Sequence, residues 1–149
     1  MRTLIRLTMA FAFLAAAPAW ASLDAAKAEP NLEKRSSLAL DNAAHALKSA
    51  QDAYLVQGDM KQVAASLEEV SASVELAYDS LQQTNKVPNK SPKYFKKAEI
   101  ETRELLRRID DFRGQMSVDD REPLDRARAA VQKVHESLLE GIMGGKKKG

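Results

Sequence analysis

The 149-residue sequence contains no cysteine. Disulfides, zinc–thiolate sites, covalent c-type haem attachment and a thiol nucleophile are therefore excluded, as is a lipid anchor built on a cysteine. Aromatic residues are scarce too: one tryptophan, three tyrosines and four phenylalanines. Glycine occurs six times, and no Gly-rich phosphate loop, Gly-x-Ser-x-Gly elbow or His-Glu-x-x-His pair is present. The serines have no histidine at a workable spacing, so the chain is not expected to be an enzyme.

Long apolar runs are also missing, with one exception. Leu7 to Ala17 is apolar but short for a bilayer span. It follows Arg2 and Arg6 and precedes Ala19-Trp20-Ala21, which offers small residues at the positions a signal peptidase reads. This pattern predicts a signal peptide over residues 1–21, cleaved after Ala21, with no transmembrane segment left afterwards. A retained membrane anchor is the competing reading. The expected address is the bacterial periplasm or the outside of the cell.

Cleavage changes the charge. Arg2 and Arg6 leave, which makes basic and acidic residues equal in number, so the sequence pI of 8.8 overstates how basic the remainder is. Lys146, Lys147 and Lys148 lie in a basic tail over 144–149 that is expected to lack structure. No bulk attraction to nucleic acid follows, and the tail offers only weak contact with anionic surfaces.

What the sequence has in quantity is helical periodicity. Met60, Val63, Leu67, Val70, Val74, Ala77 and Leu81 recur at steps of three and four, a narrow apolar stripe on a helix predicted over 59–83. Ala64, Ser71 and Tyr78, seven apart, widen it on one side. Before it, Leu40, Ala43, Ala44, Leu47, Ala50 and Tyr54 mark a helix over 34–57. Its alanine-rich face permits close approach but buries little per turn, which makes it the weakest packing surface of the set. Residues 22–33 contain Pro30 and show no sustained period, which predicts a flexible leader.

Gly58 and Asp59 form the connection: a glycine suited to a left-handed helix end, then an N-cap with Gln62 three residues on, as in a capping box. The string Ala53 to Asp59, with Leu47 before it and Val63, Leu67 and Val70 after it, resembles the helix-turn-helix of a tetratricopeptide repeat. The resemblance covers about 25 residues of a single unit, with no second copy downstream. It implies an antiparallel hairpin.

A loop is predicted over Thr84 to Ser91, with Pro88 inside it. Ser91-Pro92 reads as an N-cap with proline at the first helical position. The helix over 92–115 carries the stripe Phe95, Ala98, Thr102, Leu105, Ile109, Phe112 and Met116. This stripe is the expected companion of the one on 59–83. A last helix over 118–142 carries Leu124, Ala127, Val131, Val134 and Leu138, and Pro123 allows either a loose start at Val118 or a clean one near Glu122. The fold class is all-α: an antiparallel four-helix bundle over 34–143 with coiled-coil-like packing.

Candidate sites are few. Asn42 and Gln132 stand three residues before His45 and His135, so the Glu-x-x-His pattern of di-iron bundles is not met. His45 lies off the stripe, toward solvent, and His135 sits on the flank of the last stripe. A b-type haem would need an axial pair, for which His135 and Met60 are the speculative candidates. No metal site or resident cofactor is expected. The adjacent acids Glu68-Glu69, Asp110-Asp111 and Asp119-Asp120 point about 100° apart on a helix and share no site. Lys86, Lys90, Lys93, Lys96 and Lys97 gather around Tyr94, where an open helix end could attract an anion or an acidic partner. The expected function is a structural or protein-binding module of the cell envelope, its partner another envelope protein or itself. The alternative is a small bundle that holds haem, a metal or an anion.

Overall fold

A computed structural model describes residues 22–144. The expected signal peptide and the lysines of the expected tail lie outside the described residues. Within them, all regular structure is helical: α1 (Leu23–Ala28), α2 (Leu32–Asp52), α3 (Met60–Gln83), α4 (Pro92–Gln115) and α5 (Glu122–Ile142). A π-helical turn, Ala53–Gln57, extends α2, and a 3₁₀ turn, Val118–Asp120, precedes α5. No described helix is long and apolar enough to cross a membrane.

The expected leader is in part a helix. The Ser22 hydroxyl accepts from the Ala25 N–H at 3.0 Å, Asp24 sits in the first turn, and Ala26 is buried. Six residues make under two turns, too few to display a period. Asn31 then caps α2 by accepting from the Lys34 N–H at 2.9 Å, so this helix starts earlier than its apolar pattern.

At the α2–α3 turn Gly58 takes φ +63°, and Asp59 accepts from the Gln62 N–H at 3.1 Å. The return half of the capping box is not made. The Asp59 N–H already donates to Ala53 O at 3.1 Å, which leaves the Gln62 side chain to donate to Ser66 Oγ at 3.0 Å. Ser91 likewise makes no side-chain cap on α4, although Pro92 begins that helix as expected.

The stripes are the core. Val63, Leu67, Val70, Val74, Ala77 and Leu81 of α3 are buried, as are all seven stripe residues from Phe95 to Met116 and the five from Leu124 to Leu138. Each large apolar side chain so buried contributes about 1.5–3 kcal/mol relative to exposure. The ion pairs on the outer face of α4, such as Arg107 with Glu104 and Asp111, stand in solvent and add little.

The alanine-rich α2 makes the close approach expected of it. It makes the most extensive helix–helix contact in the molecule, along α3. Ala39, Ala43, Ala46 and Ala50 are buried on α2, and on α3 Ser66, Ser73 and Ser80, seven apart, are buried as well. Small residues on both helices permit the short end of the usual 8–10 Å interaxial range. Asn42 Nδ2 donates across this seam to Ser73 Oγ at 2.9 Å and to Glu69 Oε1 at 3.2 Å.

The pairing of stripes also differs from expectation. α3 touches α4 little and lies instead along α5, while α4 packs against α5 and α2. The contacts Ser37–Lys97, Ala44–Arg108 and Gln51–Gln115 rise together, so α2 and α4 are parallel. Thr102–His135, Asp110–Arg128 and Arg113–Asp125 run in opposite senses, so α4 and α5 are antiparallel. Two antiparallel hairpins thus lie side by side, like helix on like helix. The loop after α3 crosses the end of the molecule, a span that eight residues cover easily at about 3.3 Å each.

Candidate functional site

His135 is buried on α5, with Nδ1 3.0 Å from Thr102 Oγ1 of α4. The same hydroxyl lies 2.9 Å from Ala98 O and 3.0 Å from Glu99 O. A threonine has one proton to donate. Given to the carbonyls of its own helix, it leaves the oxygen to accept from an Nδ1–H of His135. This pair joins α4 to α5 inside the core.

Met60 is not near it. One cleft sets Glu75, Tyr78 and Asp79 of α3 beside Val134 of α5, while another sets Ala64 and Leu67 beside Pro123 and Ala127. The two helices therefore run parallel. Met60 stands 18 residues before Tyr78, about 27 Å along the axis at 1.5 Å per residue. The parallel order of α3 and α5 therefore keeps Met60 away from His135, and the candidate axial pair is not brought together. His45 is exposed on α2.

Part of the lysine cluster meets at the end where α2 begins: Lys86 and Lys93 share a cleft, and Lys97 reaches α2. Lys86 forms a close ion pair with Glu33. Lys97 lies 3.8 Å from Glu101 and 3.4 Å from Ser37 Oγ, and Lys93 sits 5.2 Å from the centre of the Tyr94 ring. Lys90 and Lys96 are exposed, and Tyr94 is partly buried against the core. A cleft of about 240 Å³ lies between Glu33, Lys86, Lys93 and Tyr94. The chain after α5 returns to this loop: a Cβ on Gly141 would stand 3.0 Å from Pro88 Cγ, and one on Gly144 3.1 Å from Asn89 Nδ2.

The adjacent acids diverge, as helix geometry requires. Asp110 binds Arg128 of α5 at 2.7 Å, while Asp111 binds Arg107 at 3.0 Å. The Arg128 hydrogen bond holds the Asp110 carboxyl below the usual carboxylate range, and Arg113 does the same for Asp125. Among the described residues no group of three or more acids or histidines could hold a metal ion. Glu101 behaves oppositely. Its Oε2 is buried without a partner, and burial raises its pKa, with Lys97 opposing and Asp41 of α2 adding to the rise.

Three further features stand out in the structure. Tyr54 Oη accepts from the Ser117 N–H at 2.9 Å and donates to Asp120 Oδ2 at 3.0 Å, tying the end of α2 to the α4–α5 turn. Its ring meets Phe112 edge-on, with centroids 5.9 Å apart. Beside it Leu55, Val56 and Val118 are 52%, 80% and 75% exposed. The third feature is a groove between α3 and α5, whose Ala64–Ser71–Tyr78 row was visible as a pattern without a destination. No family model, curated protein or solved structure matches the chain.

Proposed function

We propose that this chain is an exported, non-enzymatic helical module of the bacterial cell envelope that acts by protein contact. On this reading residues 1–21 are a cleaved signal peptide. The two hairpins form one antiparallel four-helix bundle with coiled-coil-like packing, and the partner is another envelope protein or a second copy. The observation that carries the reading is the exposed apolar end. Leu55, Val56 and Val118 stand in solvent on the two segments that Tyr54 ties together. Holding large apolar side chains outside on a fastened turn has a use when a partner covers them.

The interior speaks for the same reading over a ligand-binding bundle. Thr102 and His135 hydrogen-bond to each other, as do Asn42 and Ser73, and the stripe residues make up the core. The test is photo-crosslinking from a probe at Val56 or Val118 in the protein's native compartment, together with mass spectrometry of its N-terminus. One discrete adduct, and a mature start at Ser22, are expected. A Soret band or stoichiometric metal in the purified protein, or no adduct from either position, would overturn the proposal.

A second reading rests on the lysine-rich end. Gly144 lies at Asn89, so Lys146, Lys147 and Lys148 follow in sequence from the point where Lys86, Lys90, Lys93, Lys96 and Lys97 gather. Together these charges support weak contact with an anionic surface. Neutralising Lys93, Lys96 and Lys97 should weaken sedimentation with anionic liposomes; equal binding by both proteins would dismiss this reading.

A further inference from the structure

The seams of the molecule are not finished alike. Between α4 and α5 two ion pairs cross, Arg113–Asp125 at 2.7 Å and Arg128–Asp110 at 2.7 Å, beside a cleft of about 720 Å³. Between α3 and α5 no ion pair crosses among the described residues, and two clefts of about 290 and 280 Å³ follow each other along the groove. Its floor is made of small side chains, Ala64 and Ser71 from α3 with Ala127 and Ala130 from α5. Each helix carries a charged edge. Glu68 and Glu75, seven apart, are exposed on α3; Arg126 and Lys133, also seven apart, are exposed on α5. Arg126 pairs with Glu122 of its own helix at 3.0 Å, while Glu68, Glu75 and Lys133 have no ion pair among the described residues.

The parallel course of α3 and α5 makes this pattern self-complementary. Glu68 and Arg126 line the first cleft, Lys133 lines the next and Glu75 lines both, so acid and base stand at roughly matching heights on opposite edges. A two-fold axis along the groove would lay α3 of one molecule on α5 of the other, with each glutamate near the base at its own height. A two-fold axis across the groove would lay acid on acid and base on base. An isologous interface requires a surface complementary to itself, and only the first axis provides it.

We propose that the α3/α5 groove seats a second copy of this chain, two-fold related along the groove, with the Glu68–Glu75 edge of each copy on the Arg126–Lys133 edge of the other. This rests on the reading of the protein as an interaction module and names one face and one partner. The groove runs from Ala64 to Asp79, about 22 Å at 1.5 Å per residue, and is roughly 20 Å wide across two helices. Such a face lies at the small end of specific interfaces, so the association is weak and salt-sensitive.

Sedimentation equilibrium of the purified protein tests it. The wild type should dimerise reversibly, and about 0.5 M salt should weaken the dimer roughly tenfold relative to about 0.05 M. Glu68→Lys with Glu75→Lys, and separately Arg126→Glu with Lys133→Glu, should each weaken self-association by at least about tenfold. An equimolar mixture of the two variants should associate again, and so should the chain with all four changes. All four side chains are exposed, and a far-ultraviolet spectrum checks that the helices persist. If one reversal does unfold the chain, Ala72→Arg, exposed in the same groove, should produce the same loss. A monomeric wild type, reversals that associate like the wild type, or a mixture that stays monomeric would overturn the dimer. Those results leave the crosslinking test at Val56 and Val118 untouched, so failure here is distinct from failure of the interaction reading.

Discussion

Tyr54→Phe isolates a single atom that fastens one end of this protein. The hydroxyl accepts from the Ser117 N–H at 2.9 Å and donates to Asp120 Oδ2 at 3.0 Å, while the ring keeps its edge-on contact with Phe112 without it. A hydrogen bond contributes about 0.5–1.5 kcal/mol net, and one to a charged acceptor somewhat more. The Ser117 amide is exposed and regains a water bond when the hydroxyl is removed, so its share is at the low end. The Asp120 contact is partly buried and carries more. The sum is about 1.5 kcal/mol. For a chain of this size that corresponds to a fall in Tm of about 4–8 °C. Urea denaturation gives the free energy, and hydrogen exchange at the Ser117 amide gives the local effect, with faster exchange expected. Tyr54→Ala adds loss of the ring and should cost about 3 kcal/mol or more. The reasoning fails if Tyr54→Phe leaves both Tm and Ser117 exchange unchanged, or if it destabilises as much as Tyr54→Ala.

Other perturbations probe the remaining joints. Ala43→Leu forces three extra carbons into the small-residue seam between α2 and α3 and should destabilise by about 1–3 kcal/mol in urea denaturation; an unchanged midpoint would mean the seam is loose. Gly58→Ala puts a Cβ on a residue at φ +63° with open space around it, so only backbone strain opposes it. The expected loss is about 1 kcal/mol by calorimetry. Glu101→Gln tests the half-buried carboxyl between α2 and α4. Its pKa is raised in the folded state, so its contribution favours the native state below the ordinary carboxylate range and is lost as pH rises through the raised value. The glutamine variant should therefore gain on the wild type, by about 1 kcal/mol, at neutral pH, and the gain should vanish toward pH 3. Asp110→Asn has the opposite sign: that carboxyl is lowered by Arg128, so its replacement should matter at neutral pH as a loss and fade in acid.

Helical periodicity made the long elements legible. A stripe at steps of three and four is a property of one helix, set by 3.6 residues per turn, and the stripe residues of α3, α4 and α5 are buried apart from Met60 and the partly buried flank Ala64, Ser71 and Tyr78. Gly58-Asp59 and Pro92 marked helix ends because left-handed backbone and a missing N–H are local demands. The short α1 was illegible for the converse reason: too few residues to repeat, with a capping serine as its one local signal. The capping box failed because the Asp59 N–H found Ala53 O, a partner set by the π turn rather than by the motif.

A stripe says that a face is buried, not against what. The Phe95–Met116 and Met60–Leu81 lines match in period, yet α3 lies along α5, because pairing is settled by shape across the gap rather than by period along the chain. Serines at 66, 73 and 80 lie off the apolar stripe in sequence, yet they are buried, and Ser73 accepts from Asn42 of α2. Likewise part of the lysine cluster met at one end while His135 and Met60 fell far apart, since only the parallel order of α3 and α5 decides which residues share a level. The sequence by itself determined helix number among the long elements, their faces and most of their ends, all consequences of local backbone geometry. The tertiary structure alone decided which faces meet, which charges stand opposite one another, and that among the described residues no ion pair spans the groove between α3 and α5.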